Sequence, residues 1–121
     1  MNLPTRFQQL VSEAKKHIRQ IGAEELPAAL AERHALLIDV REEEDFRVEH
    51  ARQAIHLSRG MIETEIEEIA DNPNTPIICY CGGGSRSALV VENLQRMGYT
   101  DVRSLTGGFR AYKSAGLPVE S

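Results

Sequence analysis

The segment Cys81-Gly82-Gly83-Gly84-Ser85-Arg86 carries the strongest chemical signal in the sequence. It lies between the apolar run of residues 77–80 and a pattern with helical spacing. Glycines at a strand-to-helix junction let backbone N–H groups turn inward, and N–H groups beside a helix N-terminus bind anions. A thiol placed there, next to an arginine, should favour its thiolate form near neutral pH. We predict that Cys81 is a catalytic nucleophile and that residues 82–86 form its anion-binding loop.

Other readings of this segment are weaker. A nucleotide-binding P-loop requires Gly-Lys-Ser/Thr, whereas this chain has Ser85-Arg86-Ser87. A disulfide between Cys79 and Cys81 is geometrically poor on an extended segment, and two sulfurs without paired histidines leave zinc short of ligands. We therefore expect no metal and no cofactor, and we expect Cys79 to be a small core residue within its strand.

Short apolar runs alternate along the chain with segments of helical spacing, and together they predict the strands and helices that position the loop. Strands are expected at residues 35–40, 54–57, 77–80 and 101–105, and helices at 23–32, 61–73, 85–97 and 108–115. Short apolar strands between helices are typical of a parallel sheet covered on both faces. The prediction is an α/β fold of three layers, with a mostly parallel sheet of about five strands and an extra N-terminal helix. In helix 61–73 the residues expected to face inward are Met61, Ile62, Ile66 and Ile69.

The N-terminal helix is predicted from residue 5 to residue 21, where Gly22 ends the pattern. Thr5 and Gln8 fit a capping box. Its single apolar stripe could bind a membrane or a partner, but packing on its own domain is the simpler interpretation.

Length and charge restrict the function. A chain of 121 residues forms one domain, and a net charge of −4 argues against a nucleic-acid or polybasic membrane surface. No apolar stretch approaches the ~20 residues of a transmembrane helix, and the N-terminus is too polar for a secretory signal. We expect a cytoplasmic protein that binds neither nucleic acid nor membrane.

Polar residues follow three of the predicted strands. Asp39 ends the first, Ser58 and Arg59 follow the second, and Cys81 follows the third. Functional groups of parallel sheets gather at the carboxyl ends of the strands. Asp39 and Arg59 are therefore candidate pocket residues.

Four segments together resemble the single-domain rhodanese-like family. Residues 81–87 match its C-x-x-G-x-R-S active-site loop, and residues 36–42 resemble its Asp-x-Arg strand end, which adds Arg41 as a candidate pocket residue. Residues 49–60 and 105–119 resemble its G-H-I-x-G-A and L-x-G-G…G-x-P segments. The resemblance implies a rhodanese-like core over residues 21–119 and leaves residues 1–20 as a helical extension of one domain. The departures are Glu49, Ala51 and Gln53, which replace Gly, Ile and Gly, and Tyr112, which replaces Trp.

The resemblance implies a thiosulfate sulfurtransferase in which Cys81 carries a persulfide. The partners would be a small anionic sulfur donor, such as thiosulfate, and a thiol or cyanide acceptor. A persulfide carrier in a protein sulfur relay needs the same loop and stays open as an alternative. Related phosphatases and arsenate reductases have one more residue between cysteine and arginine, so that chemistry is less favoured. A non-catalytic binding module is disfavoured because the cysteine is present. Asp39 and Arg41 could equally form a salt bridge that fixes the strand end.

Overall fold

A five-stranded, wholly parallel sheet forms the centre of the molecule in the computed structural model, which describes residues 4–121. The strands are β1 (Arg19–Ile21), β2 (Leu36–Asp39), β3 (His50–Ala51), β4 (Ile55–His56), β5 (Ile77–Tyr80), β6 (Val102–Leu105) and β7 (Val119–Glu120). The helices are α1 (Thr5–Lys15), α2 (Leu26–Glu32), α3 (Glu43–Val48), α4 (Ile62–Ile69), α5 (Ser85–Arg96) and α6 (Gly108–Ser114). The central order is β1-β6-β5-β2-β4. The predicted α/β class with a parallel sheet is confirmed.

Side chains alternate across the sheet and build one apolar cluster on each face. Ile38 and Cys79 belong to the cluster formed with α4 and α5, whereas Leu37, Ile78 and Tyr80 belong to the cluster formed with α2 and α6. Both faces of each central strand are therefore buried, which is why β2 and β5 have continuous apolar sequences. β5 lies in the middle of the sheet, so the loop that follows it starts from the most constrained strand.

The N-terminal helix is shorter than predicted. α1 ends at Lys15, and Arg19–Ile21 form β1, which pairs in parallel with β6. Pro4 rather than Thr5 occupies the N-cap position, without a side-chain capping hydrogen bond. The helical spacing of apolar residues continues as far as Ile21, which is why a helix was predicted there. Residues 19–21 form a strand instead, because β6 provides backbone hydrogen-bond partners for them. The first three residues of the predicted extension lie outside the described residues.

The prediction for α4 was half right. Ile62 and Ile66 are fully buried, but Met61 is 51% exposed and Ile69 is 40% exposed. Ile62 and Ile66 lie one turn apart on the buried face of α4, whereas Met61 is the N-cap residue that precedes the helix and Ile69 is its last residue. A further difference is a small antiparallel pair of β3 with β7, neither of which was expected; β7 follows the strand predicted to be the last.

The turn between β3 and β4 contains a strained glutamine. The Ala54 N–H donates to the Ala51 oxygen over 3.0 Å, and Gln53 has φ +72°. The positive φ at the third position makes this a type II turn, in which glycine is favoured. Gln53 is one of the departures from the family pattern, and the turn forms despite it.

Replacing Gln53 by glycine should stabilise the protein. The left-handed conformation costs a side-chain-bearing residue roughly 1–2 kcal/mol, and the greater flexibility of glycine in the unfolded chain offsets part of that. We expect Gln53→Gly to raise the midpoint of thermal unfolding by about 2–4 °C. Gln53→Ala, which retains the strain, should not raise it. A lower midpoint for Gln53→Gly would show that the exposed glutamine side chain contributes more than its backbone costs.

Candidate active site

Cys81 lies at the carboxyl end of β5, and its sulfur is enclosed by the start of α5. The Gly84 N–H donates to Sγ over 3.1 Å, and the Ser87 N–H donates to it over 3.4 Å. The residue is 3% exposed. Two backbone donors converge on one sulfur, an arrangement that stabilises negative charge there and on whatever the sulfur carries.

The contacts of α6 orient two peptide units at the start of the loop. The Cys81 carbonyl accepts a hydrogen bond from the Phe109 N–H over 2.7 Å, and the Gly82 carbonyl accepts one from the Arg110 N–H over 3.2 Å. Both peptide units that follow these carbonyls are trans. Since the N–H of a trans peptide points opposite to its C=O, the Gly82 and Gly83 N–H groups are directed away from α6.

Close contact with α6 makes glycine necessary at only some positions. A Cβ on Gly84, which has φ +97°, would lie 3.1 Å from the Gly107 nitrogen. A Cβ on Gly108, which has φ +57°, would lie 2.4 Å from the Cys81 oxygen. A Cβ on Gly82 would meet no atom within 4 Å, and a Cβ on Gly83 would meet only the Arg110 side chain, at an ordinary van der Waals distance. Within the triplet, sterics and backbone conformation therefore require glycine at Gly84 alone.

Two buried serines extend the polar surroundings of the sulfur. The Cys81 thiol donates to Ser87 Oγ over 3.5 Å, and Ser87 Oγ lies 2.7 Å from Ser104 Oγ. Both serines are fully buried. Because each hydroxyl can donate or accept, the pair can reorient to donate toward a thiolate. The sequence interpretation did not assign a role to either serine. The family loop ends on Ser87, but nothing local marks Ser104, which comes from β6.

The predicted arginines of the loop and of the β4–α4 connection are at the surface. Arg86 is exposed in the first turn of α5. Ser58 is half-buried, and the Arg59 side chain is 50% exposed, with Nε 4.0 Å from Glu42 Oε1.

Asp39 and Arg41 form an internal ion pair. Asp39 is fully buried, Arg41 donates to it from the side chain over 2.8 and 3.1 Å, and the Tyr80 hydroxyl donates to it over 2.6 Å. Arg41 also donates to the Glu49 carbonyl and lies 4.3 Å from the centre of the Phe109 ring. Burial raises the pKa of Tyr80, and its hydrogen bond to Asp39 raises it further. For Arg41, burial lowers the pKa, but hydrogen bonding to Asp39 and the charge of Asp39 outweigh that effect and raise it. The cluster joins the end of β2 to the chain that precedes β3.

The second cysteine is a core residue. Cys79 is fully buried in the cluster that faces α4 and α5. Burial, together with the neighbouring Cys81, raises the pKa of Cys79 to about 12. It therefore stays a neutral thiol at physiological pH, which removes its nucleophilicity.

Arg110 is a residue near the loop that the sequence interpretation missed. Its guanidinium Nη1 lies 3.9 Å from the position that a Cβ of Gly83 would occupy, and its side chain is exposed. A residue of α6 cannot be related to the loop by spacing, since only the packing of α6 brings the two together.

Within the part of the chain that the structure describes, no three His, Cys, Asp or Glu side chains group to hold a metal, and no helix is long and apolar enough to cross a membrane.

This loop, its cysteine and the parallel sheet behind it define the class of protein. A profile of the rhodanese-like domain matches residues 22–115, and the chain belongs to that family. Thiosulfate sulfurtransferase GlpE of Vibrio cholerae is 30% identical over 87% of this chain and 97% of its own length. The protein of the same name from Coxiella burnetii is 34% identical over 82% of this chain and 88% of its own.

Solved structures share the fold as well. A Rhodopseudomonas palustris protein, described as of unknown function and a possible tyrosine phosphatase, superposes with a TM-score of 0.86 at 27% identity and covers 99% of this chain and 98% of its own. A thiosulfate sulfurtransferase from Pseudomonas aeruginosa superposes with a TM-score of 0.83 at 28% identity over 94% of this chain and 22% of its own. The similarity to sulfurtransferases supports that family of activities for this chain.

Proposed function

We propose that the protein is a sulfurtransferase that moves a sulfane sulfur from a small anionic donor to a thiophilic acceptor through a persulfide on Cys81. The observation that carries the proposal is the pair of backbone N–H groups, from Gly84 and Ser87, that converge on the Cys81 sulfur. Thiosulfate is the donor suggested by the names of the relatives. The acceptor is cyanide or a thiol.

The reaction divides into two displacements. The Cys81 thiolate attacks the outer sulfur of thiosulfate, the S–S bond of the donor breaks, and sulfite leaves with the bonding electron pair. An acceptor nucleophile, such as cyanide, then attacks the terminal sulfur of the persulfide, which restores the Cys81 thiolate and yields thiocyanate. The covalent intermediate replaces one difficult transfer by two easier ones. The terminal sulfur of the persulfide is anionic, and the loop N–H groups are donors suited to that charge.

A persulfide carrier is the nearest alternative, and it shares the first displacement. In that role a partner protein supplies the sulfur and another accepts it. We also propose a cytoplasmic location, because both cysteines are free and thiols persist in a reducing compartment.

Phosphatase chemistry is the alternative raised by one structural relative. Four residues, Gly82–Ser85, separate Cys81 from Arg86. A loop this short makes a tight ring suited to a single sulfur atom, and it changes the approach of the arginine to a tetrahedral phosphate. Phosphate release from an aryl phosphate that is absent in Cys81→Ser would overturn the sulfurtransferase proposal in favour of this one.

Intact mass spectrometry after incubation with thiosulfate tests the proposal. We expect the mass of one added sulfur atom, located on Cys81 by peptide mapping, and thiocyanate release when cyanide is added. Cys81→Ser should lose both signals. Cys79→Ala is the matched control, since it removes the other thiol and should keep both.

The two steps separate the candidate roles. Sulfur uptake followed by rapid thiocyanate release supports the enzyme, whereas uptake followed by slow release favours the carrier. Failure to form an adduct on Cys81 with thiosulfate, polysulfide and a low-molecular-weight persulfide would rule out both roles.

A further inference from the structure

We propose that Arg110 is a specificity-determining residue that makes the Cys81 site select anionic sulfur donors, with doubly charged donors favoured over singly charged ones. The inference rests on the proposed sulfur transfer for its substrate. It goes further by assigning donor charge selection to a residue of α6, outside the loop.

The position of Arg110 carries the inference. Its backbone N–H binds the Gly82 carbonyl over 3.2 Å, which fixes this residue against the loop. Its guanidinium Nη1 lies 3.9 Å from the would-be Cβ of Gly83. Gly83 directly precedes Gly84, whose N–H donates to the Cys81 sulfur. The charge therefore lies beside the same stretch of backbone that encloses the nucleophile.

The charge of Arg110 is available to a ligand. Its side chain is exposed, and among residues 4–121 no carboxylate forms an ion pair with it. Two nearby cations are engaged elsewhere: Arg41 is held by Asp39, and Lys113 is paired with Glu49. An unpaired guanidinium beside the loop attracts anions, even in a chain of net charge −4.

The absence of side chains at Gly82 and Gly83 leaves the Arg110 guanidinium open to the sulfur donor. Gly82 and Gly83 have no side chain that would separate the guanidinium from the mouth of the loop, and a Cβ on Gly82 would meet nothing within 4 Å. When Sγ contacts the outer sulfur of thiosulfate, the sulfonate end of the donor projects toward the solvent side of the loop. A guanidinium is planar and donates to two oxygens at once, which matches a sulfonate.

Two donors that differ by one charge test the selection. Thiosulfate, a dianion, gives the Cys81 persulfide and sulfite; methanethiosulfonate, a monoanion, gives the same persulfide and methanesulfinate. We would measure the rate constant of sulfur uptake by intact mass at fixed ionic strength. For Arg110→Ala we expect about a tenfold loss with thiosulfate and a clearly smaller loss with methanethiosulfonate. Arg110→Lys, which keeps the charge but not the bidentate geometry, should recover part of the thiosulfate rate, and Arg110→Glu should lower it further.

Arg96→Ala is the matched control. It removes the same charge from the opposite end of α5, about 15 Å along the helix from its first turn. Its rates with both donors should equal those of the wild type. Unchanged thermal unfolding of Arg110→Ala would exclude a folding defect.

A second pair of reagents tests Arg110 independently of sulfur transfer. Iodoacetate and iodoacetamide alkylate the Cys81 thiolate and differ chiefly in charge, so their rate ratio reports the electrostatic potential at the sulfur. Arg110→Ala should lower the iodoacetate-to-iodoacetamide ratio several-fold, and this should hold even if the wild type takes up no sulfur, a result that would defeat only the proposed function. An unchanged ratio, or equal losses of sulfur uptake with both donors, would overturn the role of Arg110.

Discussion

Replacing Gly108 by alanine is expected to reduce sulfur uptake at Cys81 by at least about 100-fold, the scale of loss that a displacement of roughly 1 Å causes in a catalytic site. The new Cβ would lie 2.4 Å from the Cys81 oxygen and 2.8 Å from the carbonyl carbon of Gly82. Both are backbone atoms, so α6 and the loop must move apart. That movement breaks the bond from the Phe109 N–H to the Cys81 carbonyl and releases the peptide units that direct the loop N–H groups.

A control can separate this clash from backbone strain. Gly116 also has a positive φ, +74°, but a Cβ there would meet nothing within 4 Å. Gly116→Ala should lower stability by roughly 1–2 kcal/mol, the cost of a left-handed alanine, while leaving sulfur uptake intact. Uptake rates from thiosulfate, measured by intact mass, compare the two variants. Near-normal uptake by Gly108→Ala would mean that the N-terminal end of α6 does not hold the loop in its active form.

Replacing Asp39 by alanine is expected to lower the free energy of unfolding by about 3–5 kcal/mol, the usual cost of removing one partner of a buried ion pair. Asp39 is fully buried, and the Arg41 side chain is only 12% exposed, so the guanidinium would lose its counter-charge within the protein. The Tyr80 hydroxyl would lose its acceptor as well. Denaturant unfolding monitored by circular dichroism measures the change.

An exposed ion pair provides the comparison for Asp39. Glu43 and Arg47 pair on α3 with side chains 67% and 75% exposed. Glu43→Ala should change stability by less than about 1 kcal/mol, because solvent screens exposed charges. A similarly small loss for Asp39→Ala would show that water or a rearranged Arg41 compensates for the carboxylate. Substantial loss of stability would establish Asp39 as a structural residue at the end of β2.

Local patterns in the sequence were enough to predict the central elements and the strand-to-helix loop that follows Cys81. The sequences of β2 and β5 are apolar at consecutive positions, which indicates strands that are buried on both faces. The helical spacing of α5 begins directly after the glycines. The combination of Cys81, Gly84 and Arg86 could be related to an anion site because all three lie within one strand-to-helix junction. Such features depend on neighbours in the chain, which the sequence displays directly.

The tertiary structure decided everything that depends on distant partners. β1 is a strand because β6 offers it hydrogen bonds, although its apolar spacing continues that of α1. The Gly82 and Gly83 N–H groups are directed away from α6 because α6 binds the carbonyls of Cys81 and Gly82. Ser104 and Arg110 approach the site from β6 and α6, so no spacing near the cysteine could have indicated them. Thus the sequence by itself determined which thiol and which loop are present. Only the packing of α6 and β6 against that loop decided which distant residues, Ser104 and Arg110 among them, lie beside it, because those contacts join segments far apart in the chain.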